Sequence, residues 1–458
     1  MIDISNRPIA KTSMFELHRN RTLEGMRSRG IEGCILAYGL PEQHRPHSDY
    51  EPYFRQDSCF YWLTGINAPD CALYIDIATG LTILFFPKID DVMVIWAGPQ
   101  PSLEDAKAQY GFTEAMFTEE LPQFLAKAKP TKIHSFPDTC LLKDSGFPVD
   151  LKELIDVVGE LRQIKDKDEI ELIQYACDVN SDSFKKAMKA VKPGMYQFNM
   201  ESILVKNFID HYCRIESFQT ICCSGELCSI LHYHDNDKQI KDGEFILLDA
   251  GCEYSLYAAD NTRTFPANGK FNEDQRLIYQ AVLDASNAVF KAAKPGAYWP
   301  EIGLLSAKVM AESLIKAGLF VNGTVDEIIN SGTMAVFYPH GLGHGMGLDV
   351  HEILGWPRGL QRPAMYHAKA VRMGRTLQPG YVVTVEPGCY FIKPLYEAAF
   401  KNPEQAKYIN REACERFRKS VGGVRIEDDI LITEEGCKNL SHIPREIADI
   451  EAFMAQKE

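Results

Sequence analysis

The chain has 458 residues, too many for one ordinary hydrophobic core, so two domains are the first expectation. With 45% apolar and 24% charged residues it excludes disorder, collagen-like repeats and coiled coils, and no apolar run approaches the roughly 20 residues that span a bilayer. A formal net charge of −14 leaves no basic footprint for nucleic acid and suits a protein that gathers carboxylates around cations, although solubility explains it equally well.

The opening residues are punctuated by Asp3, Arg7, Lys11, Glu16 and Arg19, which gives no export signal or membrane anchor. The 13 cysteines are odd in number and scattered, and they read as reduced thiols of a cytoplasmic protein. Cys222, Cys223 and Cys228 lie close together without zinc-finger spacing, so core packing is preferred for them over a soft-metal site.

Through the first third, short apolar runs (Gly33 to Leu36, Leu73 to Ile77, Leu81 to Phe86, Val92 to Trp96) alternate with helical stretches at Phe15 to Arg29 and Leu103 to Tyr110. Strands of that length between helices predict a small amino-terminal α/β domain over residues 1–157. A long amphipathic pattern then begins, with Ile170, Ile173, Cys177, Asn180 or Ser181, Phe184, Met188 and Val191 on a three-four spacing, and opens a second domain over residues 158–458.

The second domain partly repeats itself. A helix ending Lys192-Pro-Gly194 is echoed by one ending Lys294-Pro-Gly296, and Leu248-Asp-Ala-Gly-Cys252 is echoed by Val385-Glu-Pro-Gly-Cys389. The echo superimposes Asp249 on Glu386 and implies two related halves that each supply a carboxylate to a shared centre. Chance similarity between two Lys-Pro-Gly turns is the alternative.

Candidate site residues follow in chain order. Phe245 to Asp249 and Tyr257 to Phe265 read as a hairpin whose turn, centred on Tyr254 and Ser255, sets Asp249 directly opposite Asp260. Facing like charges destabilise a ladder, so such a pair calls for a shared proton or cation; solvated turn carboxylates are the bland reading. In His340-Gly-Leu-Gly-His344-Gly-Met-Gly-Leu-Asp-Val-His351 the alternate glycines oppose a helix and permit close backbone approach, so three histidines crowd one irregular loop. Period-two alternation puts Thr384 and Glu386 on one strand face, and Arg425, Glu427 and Asp429 together on another. Arg425 could be no more than a structural partner of Glu427. Together Asp249, Asp260, His344, Glu386 and Glu427 form an oxygen-rich set with one imidazole, suited to manganese above all, with cobalt or zinc as alternatives. Four negative charges exceed the needs of one cation and point to two divalent metals roughly 3.5 to 4 Å apart around a shared hydroxide. Glu386, a ligand close to that hydroxide, is the candidate proton shuttle.

Leu231-His-Tyr233, Leu247-Leu-Asp-Ala-Gly251, Asp260-Asn-Thr-Arg-Thr-Phe-Pro266, His340-Gly-Leu-Gly-His344, Thr384-Val-Glu-Pro-Gly388 and Val424-Arg-Ile-Glu-Asp-Asp429 resemble the blocks of the pita-bread metallopeptidase family. The resemblance is strong over about residues 160–440 and weaker in the first third, where Phe54 to Trp62 carries it. It implies a pita-bread catalytic domain with an internal pseudo-two-fold repeat, an amino-terminal α/β domain and a homodimer. It also implies that Asp260 and Glu427 bridge two metals, that Asp249 completes one site, and that His344 and Glu386 complete the other. His351 would stabilise a tetrahedral oxyanion and His232 would position the substrate, with His340 and Arg425 as further substrate-binding residues. Within the family, Ala370 to Gly380 and the insert Phe391 to Ser420 resemble the Xaa-Pro dipeptidase branch, with Arg372 at the place of a clamp on the substrate carboxylate; read alone, Arg372 is a surface arginine. The expected activity is hydrolysis of the bond before proline in a dipeptide. The aminopeptidase P branch shares all five ligands and is the alternative, and a non-catalytic pita-bread binding module is a remote one.

Overall fold

The computed structural model describes residue 2, residues 4–142 and residues 146–456, so Met1 and Asp3 of the opening stretch lie outside the described residues. The chain forms two compact units, Ile9–Arg162 and Gln163 onward together with the first residues through Pro8. Position 157 falls inside the helix Glu153–Leu161.

The smaller unit carries a six-stranded sheet of β1 (Cys34–Tyr38), β2 (Ala72–Asp76), β3 (Thr82–Phe86), β4 (Glu114–Phe117), β5 (Ile133–His134) and β6 (Val149–Asp150), in the order β4-β3-β2-β1-β5-β6. β1–β2 and β2–β3 are antiparallel, while β3–β4, β1–β5 and β5–β6 are parallel, the mixed sheet expected where helices alternate with strands. Helices Thr12–Ser28 and Leu103–Tyr110 stand where the apolar spacing predicts them. Val92 to Trp96 is not a strand but lies in the helix Asp91–Ala97. The Asp90 carboxylate accepts the amide of Met93 at 2.7 Å and Gly98 closes the other end at φ 81°, so caps decide a run whose unbroken apolar character is ambiguous.

In the larger unit the helix Lys167–Ala190 begins with a capping box between Asp166 and Glu169 and is followed by Gln197–Asp210. Glu273–Ala292 and Trp299–Lys316 repeat that pair across the second Lys-Pro-Gly turn. The strands are β7 (Ile215–Glu216), β8 (Ile221–Ser224), β9 (Phe245–Ala250), β10 (Cys252–Tyr254), β11 (Tyr257–Ala258), β12 (Asn261–Pro266), β13 (Val382–Val385), β14 (Gly388–Tyr390), β15 (Gly423–Arg425), β16 (Asp428–Ile432) and β17 (Cys437–Asn439). Two antiparallel hairpins emerge, each broken once per arm: β9–β10 against β11–β12, and β13–β14 against β15–β16. The breaks bring the sequence echo into register, since Asp260 precedes β12 as Glu427 precedes β16. The continuous strands expected over Tyr257 to Phe265 and Val424 to Ile430 are therefore interrupted at the candidate ligands.

The first hairpin also corrects the expected register. Asp249 pairs with Thr262, not Asp260, because the turn is centred on Ser255 and Leu256, with φ of 47° and 63°. A two-residue turn with both central φ positive matches the strand twist. Asp260 lies two residues before Thr262, the partner of Asp249, so the two carboxylates are offset rather than directly opposed, and both line one cavity. Gly251 is obligatory beside them, since a Cβ there would sit 1.8 Å from the Ala259 carbonyl oxygen.

Behind the hairpins, Arg263 and Asp428, both with fully buried side chains, join β12 to β16 by an ion pair, and the guanidinium also donates to the carbonyls of Thr262, Glu427, Ile443 and Pro444. Asp428→Ala strands a buried cation and is expected to cost about 3–5 kcal/mol, read as a lower unfolding midpoint of the metal-stripped chain. An unchanged midpoint would show that the carbonyls alone satisfy Arg263.

Candidate metal centre

A cavity of about 560 Å³ opens where the two hairpins meet, and Asp249, Asp260, His344, Glu386 and Glu427 all line it. Each arrives by a different route: Asp249 on β9, Asp260 and Glu427 in the strand breaks, Glu386 just past β13, and His344 on the glycine loop. That loop is irregular as expected and lies against β13, where the Thr384 amide donates to the His344 carbonyl at 2.9 Å and the Met346 amide to that of Val382 at 3.0 Å. A Cβ on Gly343 would stand 2.0 Å from the Thr384 carbonyl oxygen, which is why the loop can come so close.

Nδ1 of His344 donates to the Gly345 carbonyl at 3.3 Å, so Nε2 faces inward with its lone pair, 3.4 Å from Oδ2 of Asp260 and 3.5 Å from Oε1 of Glu386. Burial, then the neighbouring His351, hold His344 well below the usual histidine range. Ligand atoms of Asp260, His344 and Glu427 lie within 4.8 Å of one another. Burial first, and then Glu427 among other carboxylates, push Asp260 well above the carboxylate range; burial and then Glu386 do the same to Glu427. Glu386 is pushed up to about 7 by burial, against the pull of Arg425. Oδ1 of Asp249 is buried with no hydrogen-bond partner among the described residues. Lone pairs converging on lone pairs, an orphaned buried oxygen and mutually repelling carboxylates are the complement of divalent cations, and the residues present fit them.

Arg425 does not serve Glu427. Its Nη2 donates to Oδ2 of Asp249 at 2.5 Å, its Nε to Oγ1 of Thr262 at 3.0 Å and its Nη1 to Oη of Tyr390 at 2.8 Å, while Oε2 of Glu427 accepts from Thr262 at 2.8 Å. Tyr390 in turn donates to Nε2 of His340 at 2.9 Å, and Nδ1 of His340 donates to the Gly341 carbonyl at 2.8 Å. Burial and then Arg425 lower His340 to about 3. Asp429 is not with Arg425 and Glu427 at the cavity; its carboxylate is turned behind it, onto the Asp260 amide. The sequence reading missed Tyr390 and Thr262, though Thr262 lies at period two from Asp260 and could have been read as its face neighbour.

The remaining candidates also line the cavity: His232, His340, His351 and the exposed Arg372. The His351 ring meets that of His344 edge-on at 4.4 Å, and burial followed by Arg372 lowers His351 to about 4. Burial likewise lowers His232. Phe218 and Ile221, which no motif marked, add an apolar wall together with Leu231. Of the two segments that resemble the dipeptidase branch, 370–380 reaches the cavity through Ala370 and Arg372, while none of the cavity-lining residues comes from the 391–420 insert. Cys222, Cys223 and Cys228 are buried free thiols in the core.

A candidate metal centre between pseudo-symmetric hairpins is matched by the class that the comparisons show: the model of metallopeptidase family M24 matches residues 171–434, and the chain belongs to that family. The model of the aminopeptidase P N-terminal domain matches residues 15–134. Among curated relatives, the chain is 38% identical to the Xaa-Pro dipeptidase of Mus musculus, covering 97% of this chain and 93% of that one. It is 34% identical to a probable Xaa-Pro aminopeptidase of Sordaria macrospora, covering 96% and 95%. Among solved structures it resembles zinc-substituted Escherichia coli aminopeptidase P in complex with product, with a TM-score of 0.81 and 30% identity over 98% of this chain and 99% of that one.

Proposed function

We propose that this metallopeptidase hydrolyses Xaa-Pro dipeptides to a free amino acid and proline. The observation that carries the reading is the convergence of four carboxylates and one imidazole on a single cavity that also holds a cationic side chain, Arg372, making no hydrogen bond or ion pair among the described residues. A bound pair of divalent cations supplies Lewis acidity and a water acidic enough to react near neutral pH. Asp260 and Glu427 would bridge the two, Asp249 would complete one site, and His344 and Glu386 the other. Glu386 carries the proton to the proline nitrogen, which has no hydrogen of its own in the substrate. His351 donates to the developing oxyanion, and His232 orients the substrate. Arg372 grips the terminal carboxylate one residue beyond the scissile bond, while the Arg425–Tyr390–His340 chain fixes the cavity wall. Manganese is the proposed metal and a cytoplasmic homodimer the proposed state; thirteen free thiols suit a reducing compartment. No helix among the described residues is long and apolar enough to cross a membrane.

The second reading, release of the first residue from longer Xaa-Pro peptides, is favoured by the fungal relative and by the E. coli structures. Proline release from a dipeptide against cleavage of a longer Xaa-Pro peptide, at fixed manganese, separates the two. Chelation is expected to silence the chain and manganese to restore it better than zinc or cobalt. Full activity in a demonstrably metal-free sample would remove the two-metal reading.

A further inference from the structure

Asp260 sits in a break, so its amide has no partner in the β9–β12 ladder. Oδ2 of Asp429 accepts that N–H at 3.1 Å and the Cys177 thiol at 3.3 Å. Asp429 is fully buried, does not line the cavity, and keeps Oδ1 without a hydrogen-bond partner among the described residues. It is itself held: its amide donates to Oγ of Ser441 at 3.0 Å, and that hydroxyl also accepts from Nδ2 of Asn261 at 2.7 Å. Asn180, one helical turn beyond Cys177 on the same helix, donates through Nδ2 to the carbonyl of Ala250 at 2.9 Å and to Oδ1 of Asn261 at 3.1 Å. A buried polar brace thus runs from the helix Lys167–Ala190 to the residues flanking both Asp249 and Asp260.

A buried carboxylate is expensive, and an uncharged or apolar residue would fill this strand position at lower cost. The carboxylate is placed so that one oxygen reaches the backbone of a ligand residue from the side away from the cavity. Fixing a ligand's backbone removes one of the freedoms that would have to be frozen when its side chain engages a cation.

We propose that Asp429 is a positioning residue that anchors the backbone of Asp260 and so presets its carboxylate for cation binding, by a hydrogen bond rather than by its charge. The inference rests on Asp260 being a metal ligand.

The test is calorimetric titration of the metal-stripped full-length chain with manganese chloride, for the parent, Asp429→Asn and Asp429→Val. Asparagine retains an oxygen that can accept the Asp260 N–H, whereas valine suits a strand but accepts nothing. The valine variant is expected to bind manganese about 10–100-fold more weakly, as loss of an outer partner of a metal ligand does. Its half-saturating manganese for activity should rise equally, with KM for the dipeptide unchanged at saturating metal. The asparagine variant should match the parent. Parental manganese affinity in the valine variant, or an asparagine variant as weak as valine, overturns the proposal. Should the valine variant fail to fold, Asp429→Ser, whose hydroxyl is too short to reach, is held to the same criterion. A parent chain that binds no manganese would instead sink the ligand reading before any substitution is compared.

Discussion

Asp260→Asn is expected to abolish turnover. Asp260 is nearly fully buried, its carboxylate lies 3.4 Å from Nε2 of His344, and burial first, then the neighbouring carboxylates, push it well above the carboxylate range unless cations offset the cost. An amide offers one weak oxygen donor and no charge where two ions are to be bridged. The loss should exceed the roughly 10–100-fold that removal of an outer partner costs, and the metal content of the purified variant should fall with it. Near-parental activity with metal still bound would mean that Asp260 is not a bridging ligand.

The second large effect is one of discrimination. Arg372→Ala should lower kcat/KM for a dipeptide by about 10–100-fold, the equivalent of the roughly 1.5–3 kcal/mol of a hydrogen bond to a charged group. A tripeptide places its carboxylate one residue farther away and should lose far less. The cavity supports the expectation because Arg372 lines it while remaining exposed and without a partner among the described residues, so its fork is free for a ligand. Equal losses on both substrates would reduce Arg372 to a general contributor and favour the aminopeptidase reading.

Much of the site was legible in the sequence because its physics is local. A carboxylate inside an apolar strand, or a histidine among alternate glycines, is costly unless something is done with it, which marks Asp249, Glu386 and His344, whereas Glu427 beside Arg425 joins them only once the set is taken together. The echo between Asp249 and Glu386 was legible too, and it reappears as two hairpins with matching breaks. What failed was geometry set by backbone alone. Nothing in Tyr254-Ser-Leu-Tyr257 advertises a turn with two positive φ values, since the Asn-Gly or Asp-Gly signal is missing, and the register therefore slipped by two residues. The break at Ile426 and Glu427 leaves no mark in the sequence, where period two alone places Asp429 on one face with Arg425 and Glu427. Arg425 itself was assigned the nearest carboxylate in sequence, whereas the fold gives it Asp249, 176 residues away. At Val92 to Trp96, β-branched and aromatic residues pointed to a strand, and two capping residues outside the run decided for a helix.

The two hairpins end very differently: one turns on Ser255 and Leu256, the other passes through everything between Tyr390 and Gly423. No described residue of that excursion lines the cavity, and its exposed tip lies among residues that take no part in the site. A binding peptide or reporter domain grafted at an exposed point of the excursion, such as Lys401–Asn402, should leave the hydrolytic centre intact, making this the natural port for re-engineering the enzyme.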